Sequence, residues 1–309
     1  MQCVVLWLRR STAARQEKFR DEKWPVYRRF FDALIARHTV GIALDRAAFL
    51  GDNVFHCESA YHQGRFVPAD VMMRADVVYD VSGIAEPGIV AQVSMVNPSD
   101  FRSFCRSKWE TYSVLHDFMP KTSRIVSAHH VASEAERFVV KPEAGAKGRG
   151  VAVLSRQEYA THAGRWGEQM LLQEFVDTSA GIPGVCSGVH DLRLVTADDT
   201  LAFAHVRLPP PGSFIANEAR GGTVCEVPLE RLPSAVLDLY HAVHAEVRRR
   251  FPHTLYTMDM GVGRDGPRIF ELNGSVAFPW PGFKNTDRFV TLLIRHLENT
   301  PHFCYTRGR

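Results

Sequence analysis

Two acidic residues and an asparagine in the last fifth of the chain have a spacing that suits a bound cation. Residues 255–273 read as a β-hairpin, because two apolar runs of period two flank a Gly-Arg-Asp-Gly turn at 263–266. If the turn is centred near Asp265, Asp259 and Glu271 face each other, and Asn273 points to the same side as Glu271. Facing like charges destabilise a sheet by roughly 0.2–1 kcal/mol unless a partner neutralises them. Carboxylate and amide oxygens suit Mg²⁺, so we predict a metal site; a solvent-facing edge hairpin is the alternative.

A second stretch, residues 138–154, offers backbone donors and positive charge to an anion. It reads as strand, turn and strand, and Lys141 ends the first strand. Glycine lets backbone N–H groups turn toward a ligand, which forms the kind of nest that binds phosphate. The turn contains Gly145, Lys147, Gly148, Arg149 and Gly150. It has no P-loop pattern and leads into a strand, so the usual nucleotide fingerprints do not apply, and a flexible basic hairpin is the alternative.

Three cationic residues lie where an anion would stabilise them. Ser107 and Glu110 form a capping box that places Lys108 at the first helical position, where a cation opposes the helix dipole. That lysine is either solvated or held by an anion. Arg193 and Arg207 lie inside apolar strands, which indicates an anion on that face or a sheet with one wet face.

Two further segments carry polar groups without a fixed motif. Gln173-Glu174-Phe175-Val176 ends a strand, and its backbone groups can read the edge of an adenine ring; edge pairing in a sheet is the alternative. Asn217 and Arg220 lie in a loop with two glycines, which brings a carboxamide and a cation together.

The composition is that of an ordinary globular protein and argues against nucleic-acid-binding, membrane, disulfide-rich and zinc proteins. The 309 residues suffice for two or three lobes, and 45% are hydrophobic and 23% charged. A net charge of +3 is too small to indicate nucleic-acid or membrane binding. Six cysteines without a CxxC pair fit reduced thiols in the cytoplasm better than disulfides or zinc. The apolar start lacks a preceding basic region, so we expect a buried strand there, and no apolar run is long enough for a membrane span.

Strands alternate with a helix in the first 100 residues. Apolar runs at Cys3–Leu8, Val40–Leu44 and Val77–Asp80 are typical of strands, and helical spacing runs from Asp21 to His38. This alternation predicts a small parallel α/β lobe.

The order of these motifs resembles the ATP-grasp superfamily, in particular carboxylate–amine ligases such as glutathione synthetase and the glutamate-adding enzymes like it. The series runs from a lysine that opens a helix, through the lysine and glycine-rich turn, the Gln-Glu-Phe-Val segment, the Asp-x-Arg strand and the Asn before Gly-Gly, to Asp…Glu-x-Asn. It covers roughly residues 98–290. The resemblance implies an α/β ATP-grasp fold, with an N-terminal parallel α/β domain (1–100) and two lobes that clasp the nucleotide. These are a small lobe with a glycine-rich lid loop (101–175) and a C-terminal lobe with the metal site (176–309).

The resemblance also implies roles for the matching residues. The ATP-binding residues would be Lys108, Lys141, Gly145, Lys147, Gly148, Gly150, Gln173, Glu174, Phe175, Val176 and, near the ribose, Asp177. Arg193 and Arg207 resemble the arginines that hold the transferred phosphoryl group and the acyl phosphate, with Asn217 and Arg220 near the same centre. Asp259, Glu271 and Asn273 match the Mg²⁺ ligands. Where relatives often carry Ser-Pro-Gly, this chain continues Gly274-Ser-Val-Ala-Phe-Pro-Trp, so the acceptor substrate is not predicted.

The activity implied is that of an ATP-dependent carboxylate–amine ligase. Such an enzyme forms an amide or peptide bond through an acyl phosphate and releases ADP and phosphate. We expect ATP and Mg²⁺ as cofactors, with two ions that Mn²⁺ can replace. The expected partners are a small carboxylate and an amine, such as an amino acid or a peptide, with no nucleic acid and no membrane. The sequence is also compatible with a homo-oligomer. Two alternatives remain: a phosphotransferase acting on a small hydroxylated metabolite, and an ATP-binding protein without turnover.

Overall fold

Three β-sheets with helices packed on them make up the part of the chain that the structure describes. The structure is a computed structural model and describes residues 2–8, 22–81, 93–125, 135–145, 148–167, 169–216 and 221–301. The helices in these ranges are α1 (Trp24–Ile35), α2 (Ser99–Arg106), α3 (Lys108–Leu115), α4 (Arg156–His162), α5 (Ser234–Arg250) and α6 (Thr286–Glu298). Among them, no helix has the length and apolar character that a membrane span needs.

The first sheet has seven strands, and its centre is parallel as expected. The strands are β1 (Cys3–Leu8), β2 (Thr39–Leu44), β3 (Phe49–Gly51), β4 (Val54–His62), β5 (Arg65–Arg74), β6 (Val77–Asp80) and β7 (Met95–Val96). Their order is β3-β4-β2-β1-β6-β7, with β5 paired to β4. β1 pairs in parallel with both β2 and β6, and its residues 4–7 are at most 1% exposed. Burial on both faces explains the continuous apolar run of this strand.

The same sheet is mixed and not wholly parallel, which the sequence reading did not predict. β4 runs antiparallel to β2 and forms a long hairpin with β5. A hairpin needs no crossover helix, so the alternation of helices and strands did not reveal it. The helix expected from Asp21 to His38 is shorter, since α1 covers Trp24–Ile35; Asp21 lies outside the described residues.

The second sheet is small, antiparallel and covered by one short helix. Its strands are β8 (Thr122–Arg124), β9 (Arg137–Pro142), β10 (Ala152–Ser155) and β11 (Met170–Glu174), in the order β10-β9-β11-β8. α4 begins with a capping box: the Ser155 N–H donates to Glu158 at 2.7 Å, and the Glu158 N–H donates to the Ser155 hydroxyl at 3.2 Å. Tyr159 of this helix packs with Phe138 of β9.

The third sheet carries two different cores on its two faces. Its strands are β12 (Asp191–Ala197), β13 (Thr200–Leu208), β14 (Thr223–Val227), β15 (Leu255–Gly263) and β16 (Gly266–Asn273), in the order β14-β13-β12-β15-β16. On one face Leu192 and Leu194 of β12 join a core that includes Val243 of α5. On the other, Val195 and Phe203 join a core shared with α6 and the N-terminal lobe. Alternation of side chains along each strand produces this division.

Asn97 joins the N-terminal lobe to the third sheet. The residue is 1% exposed, and its amide oxygen accepts from the Leu255 N–H at 2.6 Å. Its amide nitrogen donates to the carbonyls of Leu255 and Gly274 at 2.7 and 2.8 Å. This side chain of the N-terminal lobe therefore holds together the start of β15 and the residue that follows β16.

We predict that Asn97→Ala lowers the free energy of unfolding by about 2–4 kcal/mol, because buried backbone groups lose their partners. Urea unfolding measures this change. Asn299→Ala, at an exposed position after α6, is the matched control and should change stability by less than about 0.5 kcal/mol. Equal effects of the two substitutions would show that Asn97 does not join the lobes.

Candidate active site

A polar row crosses one face of the third sheet. Residues directly opposite each other on antiparallel strands point to the same side, so the register of the five strands identifies the members of the row. They are Glu226 of β14, His205 of β13, Arg193 of β12, Asp259 of β15 and Glu271 of β16. The predicted pairing of Asp259 with Glu271 is confirmed.

A β-bulge in the hairpin brings the two acids opposite each other. The turn pairs Gly263 with Gly266, and this register continues as far as Met260 and Ile269. The ladder then shifts, and Phe270 is the extra residue on β16. Without the shift Asp259 would face this phenylalanine and not Glu271. The bulge also directs Phe270 to line a cavity beside the row.

Two arginines neutralise Asp259. Arg193 donates to both of its carboxylate oxygens at 2.6 Å, and Arg207 donates to Oδ2 at 2.8 Å. Burial alone would raise the pKa of Asp259, but the two guanidinium groups hold it below its ordinary value. The facing acids therefore do not by themselves require a metal ion, because the sheet supplies two cations of its own.

The donor set at the row nevertheless suits Mg²⁺. The Glu271 side chain is 30% exposed, and the nearest cation to it is Lys108, whose Nζ lies 3.9 Å from Oε2. The Asn273 amide nitrogen lies 3.3 Å from Asp259 Oδ2 and 3.2 Å from Glu271 Oε1. Two carboxylates and a carboxamide thus converge, and the amide oxygen is available if the group turns over. Glu271 and Asn273 would be the accessible ligands of such an ion, whereas Asp259 would be shared with the arginines.

Two lysines, Lys141 and Lys108, lie next to the Glu271 end of the row. Lys141 is buried and donates to Gln173 Oε1 at 2.8 Å and to the Phe270 carbonyl at 3.3 Å. Burial lowers the pKa of Lys141 to about 8; nearby Glu271 opposes this shift and Lys108 adds to it. Lys108 is 8% exposed and donates to the Gly145 carbonyl at 2.8 Å. Ser107 caps its helix, as predicted, by accepting from the Glu110 N–H.

The glycine-rich turn between β9 and β10 requires its glycines. Gly145, Gly148 and Gly150 have φ angles of 145°, 64° and 71°. Residues with a side chain rarely adopt such angles. At Gly150 a Cβ would also lie 2.9 Å from Pro142 Cγ. Lys147 lies outside the described residues.

A cavity of about 170 Å³ lies between the second and third sheets, next to the lysines. Its apolar walls include Val139, Val151, Val153, Phe175, Phe214, Ile215 and Phe270. The predicted Glu174, Phe175 and Val176 line it as the chain leaves β11. Gln173 also lines it, but its side chain bridges Lys141 and the Thr122 hydroxyl, so it positions the lysine.

Asp177 does not line this cavity. It is exposed and accepts from the Ser179 N–H at 2.9 Å, which is a turn contact that lowers its pKa. Asp191, which the sequence reading did not select, does line the cavity and lies 2.5 Å from the Arg207 guanidinium. Burial raises the pKa of Asp191 to about 7, although Arg207 opposes the shift. Its position two residues before Arg193 on one strand was a signal for a shared face.

The sequence did not predict two members of the row, His205 and Glu226. His205 lies two positions before Arg207 on β13, which places it on the same face. Burial and the neighbouring arginines keep its pKa well below the ordinary value, so the imidazole is neutral. Glu226 accepts from the backbone N–H groups of Lys284 and Asn285 at 2.7 and 3.0 Å and so holds the loop before α6. Asn217 and Arg220, which were predicted near this centre, lie outside the described residues.

Comparison with known proteins finds the ATP-grasp family. Residues 105–236 match the family model for ATP-grasp domains, so this stretch of the chain carries an ATP-grasp domain. No curated protein sequence matches the chain.

Solved ATP-grasp proteins share the fold over nearly the whole chain. One is a RimK domain ATP-grasp protein from Sphaerobacter thermophilus, with 15% identity, a TM-score of 0.60 and coverage of 96% of this chain and 99% of that one. Another is D-alanyl-alanine synthetase A from Vibrio cholerae, with 13% identity, a TM-score of 0.59 and coverage of 97% and 98%. A third is the macrocyclase MdnC from Microcystis aeruginosa, solved with the precursor peptide MdnA, with 13% identity, a TM-score of 0.62 and coverage of 96% and 99%. Similarity at this identity establishes the ATP-grasp fold.

We predict that the affinity of the free protein for ATP falls as pH rises through about 8, by up to tenfold per pH unit. The reason is that Lys141, whose pKa burial lowers to about 8, must be charged to neutralise phosphate. Calorimetric titration across this pH range at constant Mg²⁺ measures the effect. Lys141→Arg stays charged and should show a flat profile, even if its affinity is lower. A flat profile for the unmodified protein would contradict the role of Lys141.

Proposed function

We propose that this protein is an ATP-dependent ligase that joins a carboxylate to an amine through an acyl phosphate. The observation that carries the proposal is the convergence of four cations and three acidic side chains on one face of the third sheet, beneath a glycine-rich turn. The cations are Lys108, Lys141, Arg193 and Arg207, and the acids are Asp191, Asp259 and Glu271. The positive charges of this set can offset the negative charges of a triphosphate and of a second anion bound beside it.

Charge explains how these residues would serve the reaction. A carboxylate oxygen attacks the γ-phosphorus of ATP, the bond to the β-phosphate oxygen breaks, and ADP leaves. Lys108 and Lys141 offset the repulsion between the two anions, and Arg193 and Arg207 are placed to hold the transferred phosphoryl group. Asp259, Glu271 and Asn273 would hold Mg²⁺, which supplies further neutralisation of the triphosphate; we propose two ions, with Mn²⁺ able to replace them.

The second half of the reaction transfers the acyl group. The amine nitrogen attacks the carbonyl carbon of the acyl phosphate, phosphate leaves, and the nitrogen loses a proton as the amide forms. Water would hydrolyse the intermediate, so the Gly145–Gly150 turn is proposed to close over it. Buried Arg207 and Asp259 lie in the water-poor part of the site.

The similar proteins support an amide product. Their names include D-alanyl-alanine synthetase, a macrocyclase with its precursor peptide and D-cycloserine synthetase. We propose that the substrates here are a small carboxylate and an amine, such as an amino acid or a peptide. A cytoplasmic location fits the unpaired thiols of the described cysteines, which are Cys3, Cys57, Cys105, Cys186 and Cys225.

The direct test is ADP release screened across pooled carboxylates, with and without pooled amines. We expect release with carboxylates, and an amide product by mass spectrometry when an amine is present. Hydroxamate formation with hydroxylamine would trap the acyl phosphate. Release of ADP only with hydroxylated acceptors would indicate a phosphotransferase and contradict the ligase.

We predict that Glu271→Gln lowers turnover by about 100-fold or more, because a neutral amide is a poorer metal ligand. The melting temperature should hardly change, since the side chain is 30% exposed and its cation contact is 3.9 Å long. ADP release at graded Mg²⁺ concentrations, together with thermal unfolding, separates the two effects. Glu230→Gln, at an exposed position, is the control and should retain full activity. Unmodified activity in Glu271→Gln would contradict the metal site.

A further inference from the structure

A second cavity, of about 370 Å³, adjoins the active site on the side of the N-terminal lobe. It is lined by the ends of β6 and β7, by α2, and by the exit of β16. It meets the proposed phosphate site at two residues, Gly145 of the glycine-rich turn and Asn273 of the metal site. A molecule in this cavity can therefore present one end to the reaction centre.

Two arginines on α2 face this cavity, one helical turn apart, and only one of them is neutralised nearby. Arg102 pairs with Asp80 at 2.7 Å, and the Asp80 side chain is 0% exposed, so this pair adds no net charge. Arg106 makes no ion pair with any residue in the described ranges. Glu143, which lies beside it in an adjoining groove, is already bound by Arg124 at 2.8 and 3.1 Å.

The other residues that line this cavity do not supply a negative charge to Arg106, and Glu110 in the adjoining groove makes no ion pair with it within the described ranges. Burial raises the pKa of the Cys105 thiol, so this side chain is neutral, and the Glu271 carboxylate nearby adds to the shift. Ser275 and Val276 on the opposite wall are uncharged. The Arg106 end of the cavity is thus cationic, while the other end adjoins Gly145 and Asn273.

We propose that this cavity binds the carboxylate substrate, and that the substrate carries a second anionic group that pairs with Arg106. The reacting carboxylate would lie at the Gly145 and Asn273 end, and the distal anion at the α2 end. A volume of about 370 Å³ is near the lower limit of small-molecule sites, so a small dianion, such as a dicarboxylate or an acidic amino acid, fits better than an extended chain. This inference rests on the proposed ligase function and adds the class of substrate to it.

The test compares probes that differ only in the distal charge. These are L-glutamate with L-glutamine, L-aspartate with L-asparagine, and succinate with succinamate, each assayed for ADP release in the presence of pooled amines. We expect the acidic member of a pair to have a KM at least about tenfold lower than the amide member. Arg106→Ala should raise the KM of the acidic member by about 10–100-fold, change kcat by less than about threefold and abolish the preference.

Two further variants make the result specific. Arg106→Lys keeps the charge and should retain part of the preference for the acidic member of each pair. If Arg106 had only a structural role, lysine would not restore this preference. Arg249→Ala, on the surface of α5, removes an arginine that pairs only with Glu246 in the described structure and should leave both KM values unchanged. If Arg106→Ala changes the KM of both members equally, or of neither, the inference is wrong.

Failure of the ligase proposal can be distinguished from failure of this inference. ADP release only with hydroxylated acceptors contradicts the ligase, and the cavity is then tested by calorimetric titration of the same pairs into the protein with ADP and Mg²⁺. Binding of the acidic member that is lost in Arg106→Ala supports the cavity as an anion site. If no member of any pair binds to the protein or stimulates ADP release, the assignment of a small dianion is wrong.

Discussion

The buried pairing of Asp259 with Arg193 and Arg207 is the interaction on which the active site depends. The three charges lie on three neighbouring strands, and each would be costly to bury alone. Together they fix the direction of both guanidinium groups, because Arg193 makes a bidentate contact with Asp259 and one terminal nitrogen of Arg207 donates to both Asp259 and Asp191. The cations are therefore in place before any phosphate arrives. A site that is organised in advance need not reorganise as charge develops in a reaction.

The two faces of the third sheet determine where this cluster can lie. One face is covered along its length by the core that α5 completes, so polar side chains on that face would lack partners. The opposite face is covered at one end by α6 and the N-terminal lobe, through Phe203 and Val195. Its other end remains for Asp191, Arg207 and Glu271, next to the second sheet and its glycine-rich turn. The boundary between the apolar and polar parts falls within single strands, at His205 and Arg193.

Burial and charge act against each other in the site without ligand. Lys141 and His205 have lowered pKa values and Asp191 has a raised one, and in each case burial is the largest cause. Burial thus shifts these three groups toward their neutral forms, whereas the two arginines hold the pKa of Asp259 below its ordinary value. Bound phosphate would favour the charged forms of the lysine and the histidine, so nucleotide binding and proton uptake are linked. Perturbed titratable groups clustered beside a cavity are typical of functional sites.

The sequence by itself determined the parts of the site that depend on local pattern. Turn residues and period-two alternation predicted the 255–273 hairpin, a lysine and glycines predicted the turn after β9, and Ser107 predicted the start of α3. The sequence did not predict that the two arginines are partners of Asp259. Arg193 and Arg207 are each more than 50 residues away from Asp259 along the chain, and they contact it only across neighbouring strands. Only the tertiary structure decided that Phe270 is bulged, that Asp191 and not Asp177 lines the cavity, and that Arg106 remains unpaired within the described residues. The physical reason is that strand register and lobe packing bring distant residues together, and neither is encoded in the spacing of a single segment.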